Sequence, residues 1–205
     1  MINQKMNDFE ERAQEIIDAG RILSEQGLVP ATSGNFSARL SDGNIAITVS
    51  GKHKGKLTPA DIMIVNPEGK PLEAKQPSAE MGLHIQIYRH FPDVGAILHP
   101  HSLNSVLLSR RSLKAVILKD YELLKAFPSI DSHQVTVTIP VFPNDQDIPR
   151  LMNEVELYLT AQQPVFGYII AGHGFYTWGR IMNDALRHVE ALDYLFACEL
   201  RQEGY

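Results

Sequence analysis

Apolar positions along the chain switch between a period of 3.6 and a period of 2 several times, the pattern of helices and strands alternating within one sequence. Phe9, Ala13, Ile16, Ile17 and Leu23 recur at helical spacing after Asn7 and Glu10, a pair suited to a capping box, and Gly27 supplies a stop. Segments 35–40 and 45–49 flank Ser-Asp-Gly-Asn, in which Asp42-Gly43 suits the positive φ angles of a tight hairpin. A short strand is expected at 62–65, closed by the turn Pro67-Glu68-Gly69, and Ser78 is placed to cap a helix running to about His90. Residues 94–99 read as a buried strand. Beyond Pro100 the pattern predicts a helix over 102–109, a strand over 115–118, a short helix over 121–125 and a strand over 135–141. Pro149, tolerated in a first helical turn, opens a helix to about Ala161. A strand at 165–170 follows, and Ile181, Ala185, Val189, Leu192 and Phe196 trace one face of a long closing helix. Hairpins mixed with helices predict an α/β sandwich whose sheet is at least partly antiparallel.

Composition narrows the class without choosing a function. At 205 residues, 44% hydrophobic and 21% charged, the chain suits one substantial core, and a single domain over 1–205 is expected. A net charge of -5 argues against nucleic acid as the main partner. The longest apolar runs, 94–98 and 165–170, fall far short of the roughly 20 residues that cross a bilayer, so no membrane helix is expected. Residues 1–20 are polar and acidic, unlike a secretory signal, which points to the cytoplasm. Cys198 has no intrachain partner and falls in a leucine-rich helical pattern, where a buried inert thiol is expected.

Candidate chemistry starts at His99-Pro100-His101, at the end of an apolar strand. Two residues apart in extended chain, both side chains leave on one face and can share one ion. The spacing alone equally fits a pair satisfied by ordinary hydrogen bonds. Three protein ligands and an open position are the usual pattern of a catalytic zinc site, so a third ligand is needed. His173 stands out because Gly172 and Gly174 flank it just past a strand. His84, His90 and His188 lie in helical patterns and read as packed or solvated, while His53 and His133 lie in polar loops. Thr32-Ser33-Gly34-Asn35 and the loop 50–55, with Ser50, Gly51 and Lys54, can point amides, hydroxyls and an ammonium at an anion. Ser78 adds a helix-start position. Each loop alone also reads as a turn that needs glycine, and none matches a Walker sequence.

Taken in order, Ser33-Gly34-Asn35, Ser50-Gly51, Pro77-Ser78-Ala79-Glu80, His99-Pro100-His101 and Gly172-His173-Gly174 resemble the motif series of the class II aldolase and adducin family over most of the chain. The resemblance implies a three-layer α/β/α sandwich around a largely antiparallel, mixed sheet of nine strands. It also implies one Zn2+ per subunit held by His99, His101 and His173. A substrate phosphate would then sit on Ser33, Gly34, Asn35, Ser50, Gly51, Lys54 and Ser78, and the chain would form a homotetramer with sites between subunits. Within the family, segments 31–37, 48–55, 120–127, 142–148 and 172–179 are most similar to a branch that dehydrates a sugar phosphate in methionine salvage. That likeness implies Glu122 as the catalytic carboxylate, with Lys125 three residues on to meet the phosphate. One departure concerns Glu80: some members of that branch have cysteine there, whereas in the aldolases the glutamate is the catalytic acid or base. Its role therefore stays open between catalysis and a first-turn acidic residue at a helix N-terminus. An aldolase or epimerase acting on a sugar phosphate, and a non-catalytic adducin-like scaffold, are the competing readings.

Overall fold

The computed structural model describes residues 7–111, 114–161 and 164–202. Five helices, α1 (Asp8–Glu25), α2 (Met81–His90), α3 (Leu103–Ser109), α4 (Ile148–Ala161) and α5 (Met182–Gln202), alternate with eight strands. The strands are β1 (Asn35–Arg39), β2 (Ile45–Thr48), β3 (Ile62–Val65), β4 (Ala96–His99), β5 (Ala115–Lys119), β6 (Thr136–Phe142), β7 (Gly167–Ile170) and β8 (Gly174–Gly179). They form one sheet in the order β3-β2-β1-β4-β8-β7-β6-β5, antiparallel throughout except between β6 and β7. This is the expected three-layer sandwich with a mixed sheet.

Strand alternation divides the core in two. Ala96, Leu98, Phe36, Ile169 and Phe175 face a layer built from α1, α3 and α5, where Ile16, Leu23, Leu108, Leu192 and Phe196 are buried. Their neighbours Ile97, Ile170, Tyr176 and Trp178 face the opposite layer, against Leu83 and Ile87 of α2 and Leu151 and Val155 of α4. A period of 2 thus sends successive residues into different helix layers. The capping box of α1 forms as expected, with Asn7 Oδ1 accepting from Glu10 N–H at 2.9 Å and Glu10 Oε2 accepting from Asn7 N–H at 2.9 Å.

Several expectations need correction. The strand β8 is not legible as alternation, because all six of its residues are buried between two layers and two of them are glycine. The described residues form eight strands, not nine. Segment 76–78 makes only the bridge Val49 to Pro77, where proline has no N–H to continue a ladder. Ser78 does not cap α2: the helix starts at Met81, and Glu80 occupies the cap position without a side-chain cap bond. Of Asp42 and Gly43, Gly43 alone takes a positive φ, 89°. The segment 122–126 is a 3-10 turn rather than an α-helix. Cys198 is half-buried, at the margin of α5 rather than inside the core. Among the described residues no helix is long and apolar enough to cross a membrane.

Candidate metal centre and its cavity

The sheet brings three histidines to one point. His99 ends β4, opposite Asn35 of β1 in register, and His101 follows two residues later, tied by its N–H to Leu28 O at 2.8 Å. His173 sits in the short connection between β7 and β8, its N–H bonded to Ile170 O at 3.1 Å. Gly174 is required for this approach: a Cβ there would lie 2.3 Å from Pro100 O and 3.1 Å from ring atoms of both His99 and His101. Gly34, at φ +78°, is required likewise, since a Cβ would meet His99 O at 2.7 Å.

The donor set fits a divalent cation. His99 Nδ1–H donates to Phe175 O at 2.9 Å, which leaves its Nε2 lone pair facing inward. His101 Nε2 lies 3.1 Å and His173 Nε2 3.4 Å from His99 Nε2. All three ligand atoms fall within 4.8 Å of one another. Tetrahedral coordination at about 2.05 Å per bond places ligand nitrogens about 3.3 Å apart, so the triangle needs little adjustment. Burial, with the neighbouring His99 adding to it, pushes His101 down to about 3 and His173 below the ordinary histidine range. Three ring nitrogens crowded this closely around one point make an arrangement that a shared cation would hold together.

Glu80 stands beside this triangle. Its Oε2 lies 3.3 Å from His99 Nε2 and accepts from Asn35 Nδ2–H at 2.9 Å, while Oε1 lies 3.6 Å from His173 Nε2. Burial alone would raise its pKa, but His99, His173 and Asn35 together outweigh it and hold the carboxyl well below the usual carboxylate range. Asn35 Oδ1 in turn bonds His84 Nε2. His84 is fully buried, as expected of a packed histidine, and burial pushes it down to about 3.

A cavity of about 390 Å³ opens over the triangle, walled by Gly34, Ser50, Gly51, Lys54, Ser78 and Glu80, with Asn35, His101 and His173 also reaching it. Loops far apart in sequence therefore meet around one cavity. Lys54 is buried, and its Nζ donates to Thr32 O at 3.0 Å and Lys52 O at 2.6 Å, with no carboxylate of the described residues on it. Burial pushes Lys54 down to about 8. Ser33 does not line the cavity, and its Oγ is buried without a hydrogen-bond partner among the described residues. The amide of Asn35 is engaged by Glu80 and His84.

Glu122 and Lys125 are not brought to this cavity. They lie exposed on their 3-10 turn, paired at 2.6 Å, and Lys125 lowers the Glu122 pKa through that bond. Asp120, at φ 60°, turns the chain from β5 towards them. Conversely, sequence reasoning gave no role to Asn144, whose Oδ1 lies 3.3 Å from His173 Nδ1, nor to Asp145 and Gln146, which wall the cavity beside it. Their signal was present but assigned no role: Asn144-Asp145-Gln146 is a polar run directly after a buried strand, within the segment 142–148 that carries the family likeness.

Comparison with known proteins agrees with this geometry. The profile of the Class II Aldolase and Adducin N-terminal domain matches residues 14–200. The chain is 61% identical over 197 residues to methylthioribulose-1-phosphate dehydratase of Methylococcus capsulatus, covering 96% of this chain and 97% of that protein. It is 50% identical to the enzyme of that name from Pseudomonas savastanoi pv. phaseolicola, covering 95% and 97%. Among solved structures, L-fuculose-1-phosphate aldolase from Thermus thermophilus superimposes with a TM-score of 0.76 at 25% identity, covering 95% of this chain and 96% of that one. YgbL of Klebsiella pneumoniae, described as a putative aldolase/epimerase/decarboxylase, shares the fold with a TM-score of 0.82 at 21% identity, covering 97% and 93%. By sequence profile, near-full-length relatives and sheet topology alike, this chain belongs to the class II aldolase and adducin family.

Proposed function

We propose that this chain is a cytoplasmic, metal-dependent hydro-lyase of methionine salvage that dehydrates 5-methylthioribulose 1-phosphate to 5-(methylthio)-2,3-dioxopentyl phosphate. The observation that carries this reading is the 61% identity to a methylthioribulose-1-phosphate dehydratase over 96% of the chain, in which the histidine triangle and a cavity lined by Lys54, Ser50, Gly51 and Ser78 lie together. The whole chain acts as one domain, and Zn2+ is the cation that His99, His101 and His173 suit best.

A bound cation supplies Lewis acidity, polarising the C2 carbonyl and so acidifying the C3 proton. Lys54, with the amides and hydroxyls of Gly34, Ser50, Gly51 and Ser78, holds the phosphate at the cavity mouth. A carboxylate removes the C3 proton, the C4–O bond breaks as that hydroxyl is protonated, and water departs. The enol left between C3 and C4 then ketonises to the diketone, so the net loss is one water. Two carboxylates are available for the proton transfers, help worth about 10² to 10⁴ in rate. Glu80 lies within the chain's own site, whereas Glu122, exposed with Lys125 beside it, serves the site of a neighbouring subunit in a homotetramer.

Incubation of the purified, metal-loaded protein with methylthioribulose 1-phosphate tests the reading. One diketone phosphate, lost on chelation, is the expected product. Two carbon fragments would identify an aldolase instead, and no turnover in a protein without stoichiometric metal would leave the scaffold reading.

A further inference from the structure

We propose that Tyr88, Ser37, His84 and Asn35 form a one-way hydrogen-bond relay that fixes the carboxylate of Glu80 against the histidine triangle, with His84 as its central positioning residue. The relay lies where two periodicities meet. On α2 and its cap, positions 80, 84 and 88 recur every four residues and share one helix face. On β1, positions 35, 37 and 39 alternate onto one face of the sheet. The two rows lie against each other, so polar side chains that would each be costly to bury satisfy one another. Tyr88 and Ser37 meet at 2.9 Å, Ser37 and His84 Nδ1 at 2.7 Å, His84 Nε2 bonds Asn35 Oδ1, and Asn35 Nδ2 reaches Glu80 at 2.9 Å. Asn35, Ser37, His84 and Tyr88 are all 4% exposed or less.

The direction of every bond follows from the end nearest the site. A carboxylate oxygen accepts, so the Asn35 NH2 faces Glu80 and its carbonyl faces His84. His84 Nε2 must then carry the ring proton, which leaves Nδ1 as an acceptor. Ser37 spends its hydroxyl hydrogen on Nδ1, and its oxygen accepts from Tyr88 O–H. Arg39 closes the far end: its guanidinium lies 4.6 Å above the Tyr88 ring and donates to Tyr88 O at 2.9 Å. Every bond of the relay then points towards Glu80, whose carboxylate faces His99 and His173 with the buried Tyr176 hydroxyl beside it. Such outer partners set how a reacting group points, and their removal typically costs about 10- to 100-fold.

Ring NMR of the zinc-loaded protein, with isotopically labelled histidine, tests the relay without any substrate. His84 is expected as the neutral Nε2–H tautomer across the neutral pH range, and the Nδ1–H tautomer would overturn the proposal. Kinetics add the functional arm, which rests on the dehydratase reading. His84→Leu is expected to lower kcat about 10- to 100-fold with KM and metal content little changed. His84→Gln, which keeps a donor towards Asn35 and an acceptor towards Ser37, is expected to recover most of that loss. A glutamine variant no better than leucine would reduce His84 to packing. Should the leucine variant not fold, Ser37→Ala keeps the His84 ring and removes the donor to Nδ1 together with the acceptor for Tyr88 O–H. A several-fold fall in kcat at an unchanged melting temperature supports the relay, and wild-type kcat overturns it. A protein inactive on this substrate but with the Nε2–H tautomer would refute the dehydratase reading and leave the relay standing.

Discussion

The histidine triangle and the turn that carries Glu122 are built on opposite rules. At the triangle, His99, His101, His173 and Glu80 come from three separate segments, and His99, His173 and Glu80 each make further hydrogen bonds that orient them. Around Glu122 nothing is enclosed: its carboxylate meets Lys125 at 2.6 Å and His133 at 3.7 Å, all exposed to solvent. The first region is organised before any substrate arrives, so little reorganisation remains for the reaction. The second has the right groups without a surface to act on. Such a carboxylate has no enclosed environment within its own chain among the described residues, and the homotetramer proposed above is what would supply one.

The largest expected effect comes from dismantling the organised region. His101→Ala should lose stoichiometric metal and reduce turnover on the order of 10³-fold or more, since a Lewis acid contributes several kcal/mol; full metal occupancy measured in that variant would remove His101 from the ligand set. Glu80→Gln should keep the metal yet lower kcat by about 10³-fold, within the range for acid-base help, and a steady-state assay at saturating substrate reads it. Glu122→Gln should lower kcat by about 10²-fold with metal and KM retained. Co-refolding that variant with His101→Ala sharpens the contrast: sites shared between subunits regain activity, and sites complete in one chain do not.

The smallest effect concerns Lys54. Lys54→Met should raise KM about 10- to 100-fold, because a charge-assisted bond is worth about 1.5–3 kcal/mol, while kcat changes little. In the native protein burial holds Lys54 at about 8 against an ordinary 10.5. Phosphate affinity should therefore fall as pH passes about 8, seen as a rising KM. Between those two values the unfolded chain binds more protons than the folded one, so this group makes stability rise with pH over the same window. A KM and a melting temperature that rise together across that window would identify the lysine; a flat KM would exclude it.

Much of this was legible because local signals carried it. The α1 capping box, the β1–β2 hairpin and the helix face of α5 each follow from spacing within a few residues. β8 was hidden because burial on both faces erases alternation. Ser78 was misplaced as a cap because a serine before a helical pattern looks the same whether or not the chain enters the helix there. At the site, the three histidines could be named, yet His-x-His spacing fits a hydrogen-bonded pair as well as a metal pair, and the family motifs made the difference. The contact of Asn144 with His173 and the relay through His84 were illegible, since the partners lie 29 and 49 residues away, even though segment 142–148 carried a family likeness.

The sequence by itself determined the alternation of helices and strands, the chemistry of the candidate ligands and the glycines that permit close approach, because these depend on side-chain type and short-range geometry. Only the tertiary structure decided that Glu80 rather than Glu122 shares the chain's own histidine triangle, and that Asn35 serves that glutamate. Those outcomes depend on the register between β1 and β4 and on the packing of α2 against β1, contacts that no local pattern encodes.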